Sequence, residues 1–304
     1  MESDTKVAVF GSTGLIGSAI CLRLKSEGYK VIAFARDIEK ARLKVPGLTY
    51  ARYRGFEEMA RDLVGITHVI NFSGSEIFGK NSSEIESSRV GLVKNIVSAF
   101  RKMPYPPQVF INGSASGFYG YEGNDVDGFT EEMPAAKDYW GDLVSRWEAE
   151  SLEAESLGTR VVNIRTSVVL SSRGRLWREL YPLFRKYLGG YPRPGNQWFS
   201  WIHIDDEVSI AVEALKNDSY RGPVNAASPN SVRMREFTKL FGDVLGRPSW
   251  LPIPAFVIRS RFGKSSDLIL NGAKIIPMKL KGYGFTFKFP DLMPALQDIA
   301  RRNI

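Results

Sequence analysis

The chain has 304 residues, of which 43% are hydrophobic and 24% charged, an ordinary globular composition that excludes collagen-like and intrinsically disordered chains. Its single cysteine, Cys21, excludes an intramolecular disulfide, and no apolar run approaches the ~20 residues of a membrane-spanning helix. The formal net charge of +8 is uneven, because residues 1–152 hold 18 Lys and Arg against 20 Asp and Glu, whereas residues 153–304 hold 23 against 13.

Short β-branched runs alternate with amphipathic helical patterns through the first 165 residues or so. The helical patterns beginning at Leu15 and Tyr139 end on glycines, Gly28 and Gly158, as helices commonly do. This alternation predicts an α/β fold with a doubly wound parallel sheet of the Rossmann type. The predicted strands are 6–10, 30–35, 48–53, 68–73, 108–113 and 160–165.

After Ser167 the pattern loosens into helices near 174–188, 233–245 and 291–301, a Gly/Pro-rich loop and the strand-like stretch "WFSWIHI". We therefore expect a smaller, mostly helical C-terminal lobe that binds substrate. The predicted domains are a nucleotide-binding domain over 1–166, to which 198–228 return, and a second part over 167–197 and 229–304. No internal repeat or low-complexity tract is present.

A glycine motif follows the first predicted strand. In "VAVFGSTGLIGSAI", Gly11 suits a tight turn, Gly14 allows backbone to approach a pyrophosphate, and Gly17 allows the helix to pack on the sheet. The helix N-terminus then offers free N–H groups and partial positive charge to phosphates. The strand-turn-helix context predicts a dinucleotide site.

The end of the second predicted strand bears on which dinucleotide binds. In "FARDIEKAR" an arginine, Arg36, stands where NAD-binding proteins usually carry an acid for the ribose 2′-OH, and it could pair with a 2′-phosphate. Asp37 follows one position late and could still reach the ribose. We expect NADP(H), with NAD(H) as the alternative.

The basic second half suits an anionic ligand or a nucleic-acid surface. Its densest mixture of basic and aromatic residues is "LFRKYLGGYPRPGNQW", but no helix-turn-helix, RNP or zinc signature accompanies it, so we expect no nucleic-acid partner. The N-terminus shows no basic segment followed by an apolar one, so we expect no signal peptide and a cytoplasmic location.

Taken together, the motifs resemble one family along essentially the whole chain. The glycine motif, "NFSG", "SASGFYG", "LVSRWEAE", "QWFSWIHIDD" and "GPVNAASPN" occur in the order found in the extended short-chain dehydrogenase/reductase superfamily, within its atypical epimerase-family subgroup. The stretches "LPIPAFVIRSRFG" and "GAKIIPMKLKGYGFTFKFPDL" resemble the small C-terminal domain of that subgroup.

The resemblance implies which residues contact the cofactor and the substrate. In extended members of the superfamily the region around Gln197 and Trp198 faces the substrate, so both are candidate substrate contacts. The resemblance also implies NADP(H) held by Gly11, Ser12, Thr13, Gly14, Leu15, Ile16, Gly17, Ala35, Arg36, Phe72, Ser73, Gly74, Glu84, Arg89 and Val169.

The chain departs from the superfamily at the catalytic positions. Active members use a Ser or Thr, a Tyr, and a Lys four residues after that Tyr. Here Leu143 follows Tyr139 by four, none of the twelve tyrosines has such a lysine, and Ala115 takes the Ser/Thr position. The candidate proton-handling groups that remain are Ser114, Tyr119 and Tyr139, and without the lysine we expect proton transfer by a tyrosine to be slow near neutral pH.

The two histidines, His68 and His203, give little basis for a metal site. Asp205 and Asp206 are predicted to cap the following helix, His203 to be a hydrogen-bonded structural residue, and no metal is expected. The leading hypothesis is an NADP(H)-dependent oxidoreductase or epimerase-like enzyme of atypical mechanism, with a small, anionic substrate. The alternative is a catalytically inactive NADPH-binding regulator that acts through a protein partner.

Overall fold

The computed structural model describes residues 5–53, 55–78, 81–120 and 127–303. Its strands are β1 (Lys6–Phe10), β2 (Lys30–Ala35), β3 (Thr49–Arg52), β4 (His68–Asn71), β5 (Val109–Ala115), β6 (Arg160–Thr166), β7 (Val168–Leu170), β8 (Gly190–Pro192), β9 (Trp198–Phe199), β10 (Trp201–His203), β11 (Gly222–Ala226), β12 (Val232–Arg233) and β13 (Leu251–Ile253).

The helices are α1 (Leu15–Ser26), α2 (Ile38–Lys44), α3 (Phe56–Asp62), α4 (Ser82–Glu86), α5 (Leu92–Phe100), α6 (Tyr139–Leu152), α7 (Arg175–Arg185), α8 (Ile204–Lys216), α9 (Met234–Leu245), α10 (Ala255–Phe262), α11 (Asp267–Leu270), α12 (Met278–Gly282) and α13 (Leu292–Arg301). A π-helical segment, Ser87–Gly91, joins α4 to α5, and 3₁₀ turns lie at Ser116–Tyr119, Glu153–Leu157 and Gly263–Ser266. No helix in these described ranges is long and apolar enough to cross a membrane.

A seven-stranded sheet in the order β11-β6-β5-β4-β1-β2-β3 confirms the predicted Rossmann-type fold. Strand β1 pairs in parallel with both β2 and β4, and β4 pairs in parallel with β5. From β1 the strand order runs through β2 and β3 toward one edge of the sheet, and from β4 through β5 and β6 toward the other. The direction of winding therefore changes between β1 and β4. The carboxyl ends of β1 and β4 are the place where such sheets bind nucleotides.

By its internal contacts the chain divides into two compact units. The first comprises 1–115, 142–165 and 208–224, and the second 116–141, 166–207 and 225–304. This division places 116–141 and 198–207 in the second unit, whereas the sequence pattern assigned both stretches to the nucleotide-binding domain. The domain boundaries drawn from the sequence therefore stay a prediction.

Each unit has its own apolar core. In the first unit, α3 and α5 pack on the sheet through buried side chains such as Met59, Ile96 and Phe110. In the second unit, α7, α9 and α13 share an aromatic cluster in which Phe237 and Phe199 stack with ring centroids 4.1 Å apart. Burial of this kind contributes about 25 cal/mol per Å² of apolar surface.

The stretch "WFSWIHI" differs from the single strand expected. It breaks at Ser200 into β9, which pairs with β12, and β10, which pairs with β7. The cause is local: the Ser200 hydroxyl donates to the Ala273 carbonyl at 2.7 Å and accepts from the Ile275 N–H at 2.9 Å. These bonds draw the strand toward residues 273–275 and prevent one continuous ladder.

Asp205 and Asp206 do not cap the helix that follows, so that prediction is wrong. Both lie inside the first turn of α8. The Asp206 carboxylate accepts from the backbone N–H groups of Lys288 and Phe289, at 2.7 and 3.0 Å, and Asp205 pairs with Arg302. The two acids therefore fasten the C-terminal segment.

His203 is a buried structural residue, as predicted. Its Nδ1 accepts from the Asp205 N–H at 3.1 Å, and its ring packs on Phe289. Burial lowers the pKa of the imidazole below its usual range, so the ring is neutral near pH 7.

Candidate functional site

The glycine turn between β1 and α1 has the geometry that a dinucleotide requires. Gly11 has φ +76°, and a Cβ there would lie 2.5 Å from the Phe72 carbonyl oxygen. A Cβ on Gly17 would lie 2.2 Å from the Gly11 carbonyl oxygen, so α1 can approach the turn only because Gly17 has no side chain. Gly14 caps α1 without any side-chain hydrogen bond. The first N–H groups of α1 therefore remain available for an anion.

Four more predicted cofactor residues belong to this turn. Thr13, Leu15 and Ile16 are half-buried, and Gly14 is exposed. Ser12 is buried, and its hydroxyl donates to the Phe34 carbonyl at 3.0 Å. The Ser12 side chain thus ties the turn to β2, which leaves only its backbone for a ligand.

The end of β2 separates the roles of Arg36 and Asp37. Asp37 is the N-cap of α2, and its carboxylate accepts from the Lys40 N–H at 3.1 Å. Arg36 is exposed, and it forms no hydrogen bond or ion pair with another residue in the described ranges. Its guanidinium is free to bind a phosphate, whereas the carboxylate that could have bound a ribose hydroxyl is engaged in capping. Ala35, the last residue of β2, is buried.

The loop after β4 is held by an arginine from the π-helical segment. The Arg89 Nη2 donates to the Ser75 carbonyl at 3.0 Å, and its Nη1 donates to the Ser88 hydroxyl at 3.1 Å. Its guanidinium lies 5.7 Å from the centre of the Trp147 ring, and a Cβ on Gly74 would lie 3.2 Å from it. Arg89 therefore supports the backbone of the "NFSG" loop.

Three other predicted cofactor residues flank that loop. Phe72 and Ser73 are half-buried, and the Ser73 N–H donates to the Asn71 side chain at 3.1 Å. Glu84 is exposed in α4, where its N–H donates to the Asn81 side chain.

A buried ion pair engages Ser114. The Ser114 hydroxyl donates to Glu148 Oε1 at 2.6 Å, and Arg165 donates to both oxygens of the same carboxylate at 2.8 Å. The side chains of Glu148 and Arg165 are 7% and 4% exposed. This paired geometry compensates the cost of burying both charges. The Ser114 proton is consequently committed to Glu148, and its oxygen can act toward a ligand only as an acceptor.

Buried amides continue this polar layer across three strands. Asn71 donates to Asn112, and Asn112 donates to Asn163, each at 2.9 Å. Ser151 of α6 donates to the Asn163 oxygen at 2.8 Å. The ladder fixes the register of β4, β5 and β6 beside the loop that follows β4.

The two candidate tyrosines differ in availability, and both belong to the second unit. Tyr119 is buried, and its hydroxyl donates to Asn225 Oδ1 at 2.8 Å. Tyr139 begins α6, is 42% exposed, and packs edge-on against Trp140. Leu143, at the position of the superfamily's lysine, is buried. Tyr139 is therefore the more accessible phenol.

The structure separates the two predicted substrate contacts. Gln197 is buried, and its amide donates to the Ile269 carbonyl at 3.1 Å, whereas its side-chain oxygen has no partner among the described residues. Trp198 is half-buried, with Arg233 and Lys274 at 3.6 and 5.1 Å from its ring centre. Neither cation forms an ion pair within the described ranges. Two positive charges beside the Trp198 ring would favour binding of an anionic group there.

Val169 lies in β7, opposite Ile202 of β10, and is half-buried. It belongs to the second unit, whereas the other predicted cofactor residues belong to the first.

Glu207 was not anticipated as an unusual acid. It is completely buried in α8, where it accepts from the Thr166 hydroxyl at 2.7 Å, and its other oxygen has no partner among the described residues. Burial raises the pKa of Glu207 to about 8. A neutral carboxyl group is thus built into the second unit.

A cavity of about 810 Å³ opens where the strands of the sheet begin, lined by residues such as Thr5, His68 and Arg160. This edge is opposite the glycine turn, because the strands are parallel. Arg160 is fully engaged there with the carbonyls of Ala214 and Tyr220. The glycine turn, and not this cavity, carries the recognisable chemistry. Within the described ranges no three His, Cys, Asp or Glu side chains cluster as a metal site.

The parallel sheet, the glycine turn and the winding order define a Rossmann-type α/β protein of the short-chain dehydrogenase/reductase kind. The chain belongs to the NAD dependent epimerase/dehydratase family, whose model matches residues 7–227. A second model, a domain of unknown function (DUF1731), matches residues 253–299, in agreement with the resemblance of the C-terminal stretches.

Similar proteins extend over nearly the whole chain. The Arabidopsis thaliana "Epimerase family protein SDR39U1 homolog, chloroplastic" is 35% identical over 98% of this chain and 87% of its own length. The Bacillus subtilis "Epimerase family protein YfhF" is 31% identical over 96% and 97%. A crystal structure of human epimerase family protein SDR39U1 (isoform 2) with NADPH superposes with a TM-score of 0.87, at 30% identity over 98% and 99% of the two chains.

Proposed function

We propose that this protein binds NADP(H) at the glycine turn and uses it to reduce or oxidise a small anionic substrate. One observation carries the cofactor assignment. Arg36 is exposed at the end of β2 and has no partner among the described residues, while the carboxylate of the neighbouring Asp37 caps α2. A 2′-phosphate is the group such an arginine binds best. The human relative crystallised with NADPH supports the same choice.

The cofactor experiment compares two neighbouring substitutions. NADPH and NADH are titrated against the protein, following energy transfer from tryptophan to the nicotinamide. We expect NADPH to bind more tightly, and Arg36→Ala to weaken NADPH binding by about tenfold or more while leaving NADH almost unchanged. Asp37→Ser, which keeps a capping side chain, is the matched control and should leave the preference intact. Equal affinities for the two nucleotides would refute the proposal.

The anionic substrate is inferred from Trp198 and its two cations. Arg233 and Lys274 both lie over the indole, and neither forms an ion pair with a carboxylate of the described residues. An aromatic face with two positive charges suits a carboxylate or phosphate ester that also carries apolar surface. A substrate of this kind would lose affinity in Lys274→Ala, seen as a raised KM.

In this proposal Tyr139 donates the proton to the substrate. NADPH bound at the glycine turn would supply a hydride, and reduction of a carbonyl would require in addition one proton at its oxygen. Tyr139 is the accessible phenol among the three candidates, since Tyr119 and Ser114 bond buried partners. Tyr139→Phe should lower kcat without changing NADPH affinity.

A second function is favoured by the same hydroxyl contacts: an NADPH-dependent regulator without catalysis. Two of three candidate hydroxyls are engaged in buried bonds, and Leu143 replaces the usual lysine. The two functions are separated by single-turnover assays of NADPH-loaded protein with carbonyl compounds that carry a carboxylate or phosphate. Stoichiometric oxidation of NADPH supports the enzyme, whereas binding without any oxidation supports the regulator.

A further inference from the structure

Two segments of the second unit combine positive charge with exposed apolar side chains. Residues 183–193 and 247–261 contain no Asp or Glu. They contain six cations, and we call the surface that they form the basic-aromatic face. Its cations are Arg185, Lys186, Arg193, Arg247, Arg259 and Arg261.

Backbone contacts join the two segments. Strands β8 and β13 pair in parallel, with Gly190 opposite Leu251. The Leu251 N–H donates to the Gly189 carbonyl at 3.2 Å, and the Arg247 guanidinium lies 4.8 Å from the centre of the Tyr187 ring. The segment that follows α7 and the segment that precedes α10 therefore form one local structure.

Large apolar side chains of this face are exposed. Trp250 is 66% and Phe256 71% exposed. Leu183, Tyr187, Leu188 and Val257 are exposed as well. Tyr187 has φ +62°, a left-handed conformation in which glycine is favoured, so a large ring is kept there against the local backbone preference. Buried Phe184 and Ile258 anchor the two segments from beneath.

The cations of the face lack carboxylate partners in the part of the chain that the structure describes. None of its six cations forms an ion pair with a carboxylate in the described ranges. Arg185 lies near the Tyr181 ring, and Arg247 donates to the Gly246 carbonyl, so their contacts are neutral ones. A surface with this charge is complementary to an anionic partner.

We propose that the basic-aromatic face docks the protein peripherally on an anionic lipid bilayer. Cations attract the charged headgroups, while Trp, Tyr and Phe side chains enter the interfacial region between headgroups and acyl chains. Single-stranded nucleic acid would also accept cations and aromatic rings. Leu183, Leu188 and Val257 favour the bilayer, because aliphatic side chains gain from acyl chains but have no partner in a phosphate backbone or a stacked base.

The test is vesicle binding by the full chain. Co-sedimentation is measured with phosphatidylcholine vesicles, with and without about 30% phosphatidylserine. We expect binding to the anionic vesicles only, reduced at least about tenfold by Arg185→Glu with Lys186→Glu. Trp250→Ser with Phe256→Ser should also weaken it, without any change of charge. Lys94→Glu with Lys102→Glu, an equal charge reversal on exposed residues of the first unit, is the matched control.

Several outcomes would overturn the proposal. They are absence of binding to anionic vesicles, equal binding to neutral ones, and an equal loss in the Lys94/Lys102 control. Binding that is weakened by the charge reversals but not by Trp250→Ser with Phe256→Ser would indicate general electrostatic adsorption, and not docking of the basic-aromatic face. Displacement of the protein from vesicles by a single-stranded oligonucleotide, with tighter binding to it, would assign the face to nucleic acid.

Discussion

The Ser114 hydroxyl donates a 2.6 Å hydrogen bond to the Glu148 carboxylate, and Arg165 donates to both oxygens of that carboxylate. This bond ties Ser114, one of the two serines that flank the expected catalytic position, to a structural ion pair. Its neighbour Ala115 has no hydroxyl at all. The Ser114 proton could polarise a substrate oxygen only if its bond to Glu148 were broken.

The Glu148–Arg165 pair should matter far more to stability than the serine. Glu148→Gln leaves the Arg165 charge buried without its carboxylate, and we expect a loss of about 3–5 kcal/mol in the free energy of unfolding. Ser114→Ala removes one hydrogen bond, at a cost of about 1–2 kcal/mol. Asp142→Asn, which breaks an exposed pair on the same helix, should cost under about 1 kcal/mol. Urea unfolding measures all three, and similar losses for Glu148→Gln and Asp142→Asn would contradict the buried-pair account.

Two glycines with the same backbone conformation offer a controlled comparison. Gly11 and Gly28 have φ of +76° and +85°, but a Cβ on Gly28 would meet nothing within 4 Å. Gly28→Ala should lower the free energy of unfolding by about 1–2 kcal/mol, which is the cost of holding an alanine in the left-handed conformation. Gly11→Ala adds a collision with the Phe72 carbonyl, worth about 1–3 kcal/mol more, and should abolish NADPH binding. Unfolding and NADPH titration are measured on both, and equal behaviour would show that the turn tolerates a side chain.

Glu207 should give the protein a distinctive pH dependence of stability. In the folded state it keeps its proton up to about pH 8, whereas in the unfolded chain it releases that proton near its ordinary value of 4.5. Between these values the folded state holds one more proton, so the free energy of unfolding falls as pH rises, by up to ~1.4 kcal/mol per unit. Glu207→Gln should flatten this slope and make the protein more stable than the parent at pH 9.

The comparison uses guanidinium unfolding at pH 5, 7 and 9, with Glu236→Gln in an exposed part of α9 as the control. An unchanged slope in Glu207→Gln would show that another group titrates.

The two adjacent acids of α8 should differ in their effect on the C-terminal helix. Asp206 is buried and accepts two backbone N–H groups, so Asp206→Ala should cost about 2–4 kcal/mol. Burial alone would raise the pKa of Asp205, but hydrogen bonds from Arg302 and Lys288 hold it below the usual range. The Lys288 side chain is 63% exposed and that of Arg302 39%, so both bonds are partly screened by solvent, and Asp205→Ala should cost about 1 kcal/mol or less.

Hydrogen exchange in α13 provides the measurement for this pair. Faster exchange in Asp206→Ala than in Asp205→Ala is the expected result, and the reverse order would contradict it.

The sheet and the glycine turn could be predicted because their signals are local. Each buried strand is a short apolar run, and Gly11, Gly14 and Gly17 have a spacing that few other structures require. Because Gly11 directly follows the first predicted strand, the turn could be placed at the end of β1.

The polar networks could not be predicted, because they depend on contacts between distant residues. Glu148 reads as one more charged residue of a solvated helix, and only folding brings it to Arg165, 17 residues away. Asp205 and Asp206 illustrate the same limit. At a helix start the sequence suggests a cap, but the partners that bind them lie more than 80 residues later.

The π-helical segment Ser87–Gly91 is equivalent to a one-residue insertion in an otherwise regular helix. Deleting one residue there should convert α4, this segment and α5 into a single α-helix, so this helix should tolerate a deletion that would disrupt an ordinary one. The side chains of α4 and α5 would keep their faces, because the π-helical segment already absorbs the extra residue. Loss of the Ser75 contact in such a shortened chain, with the fold intact, would reveal that the extra residue serves the cofactor loop and not the fold.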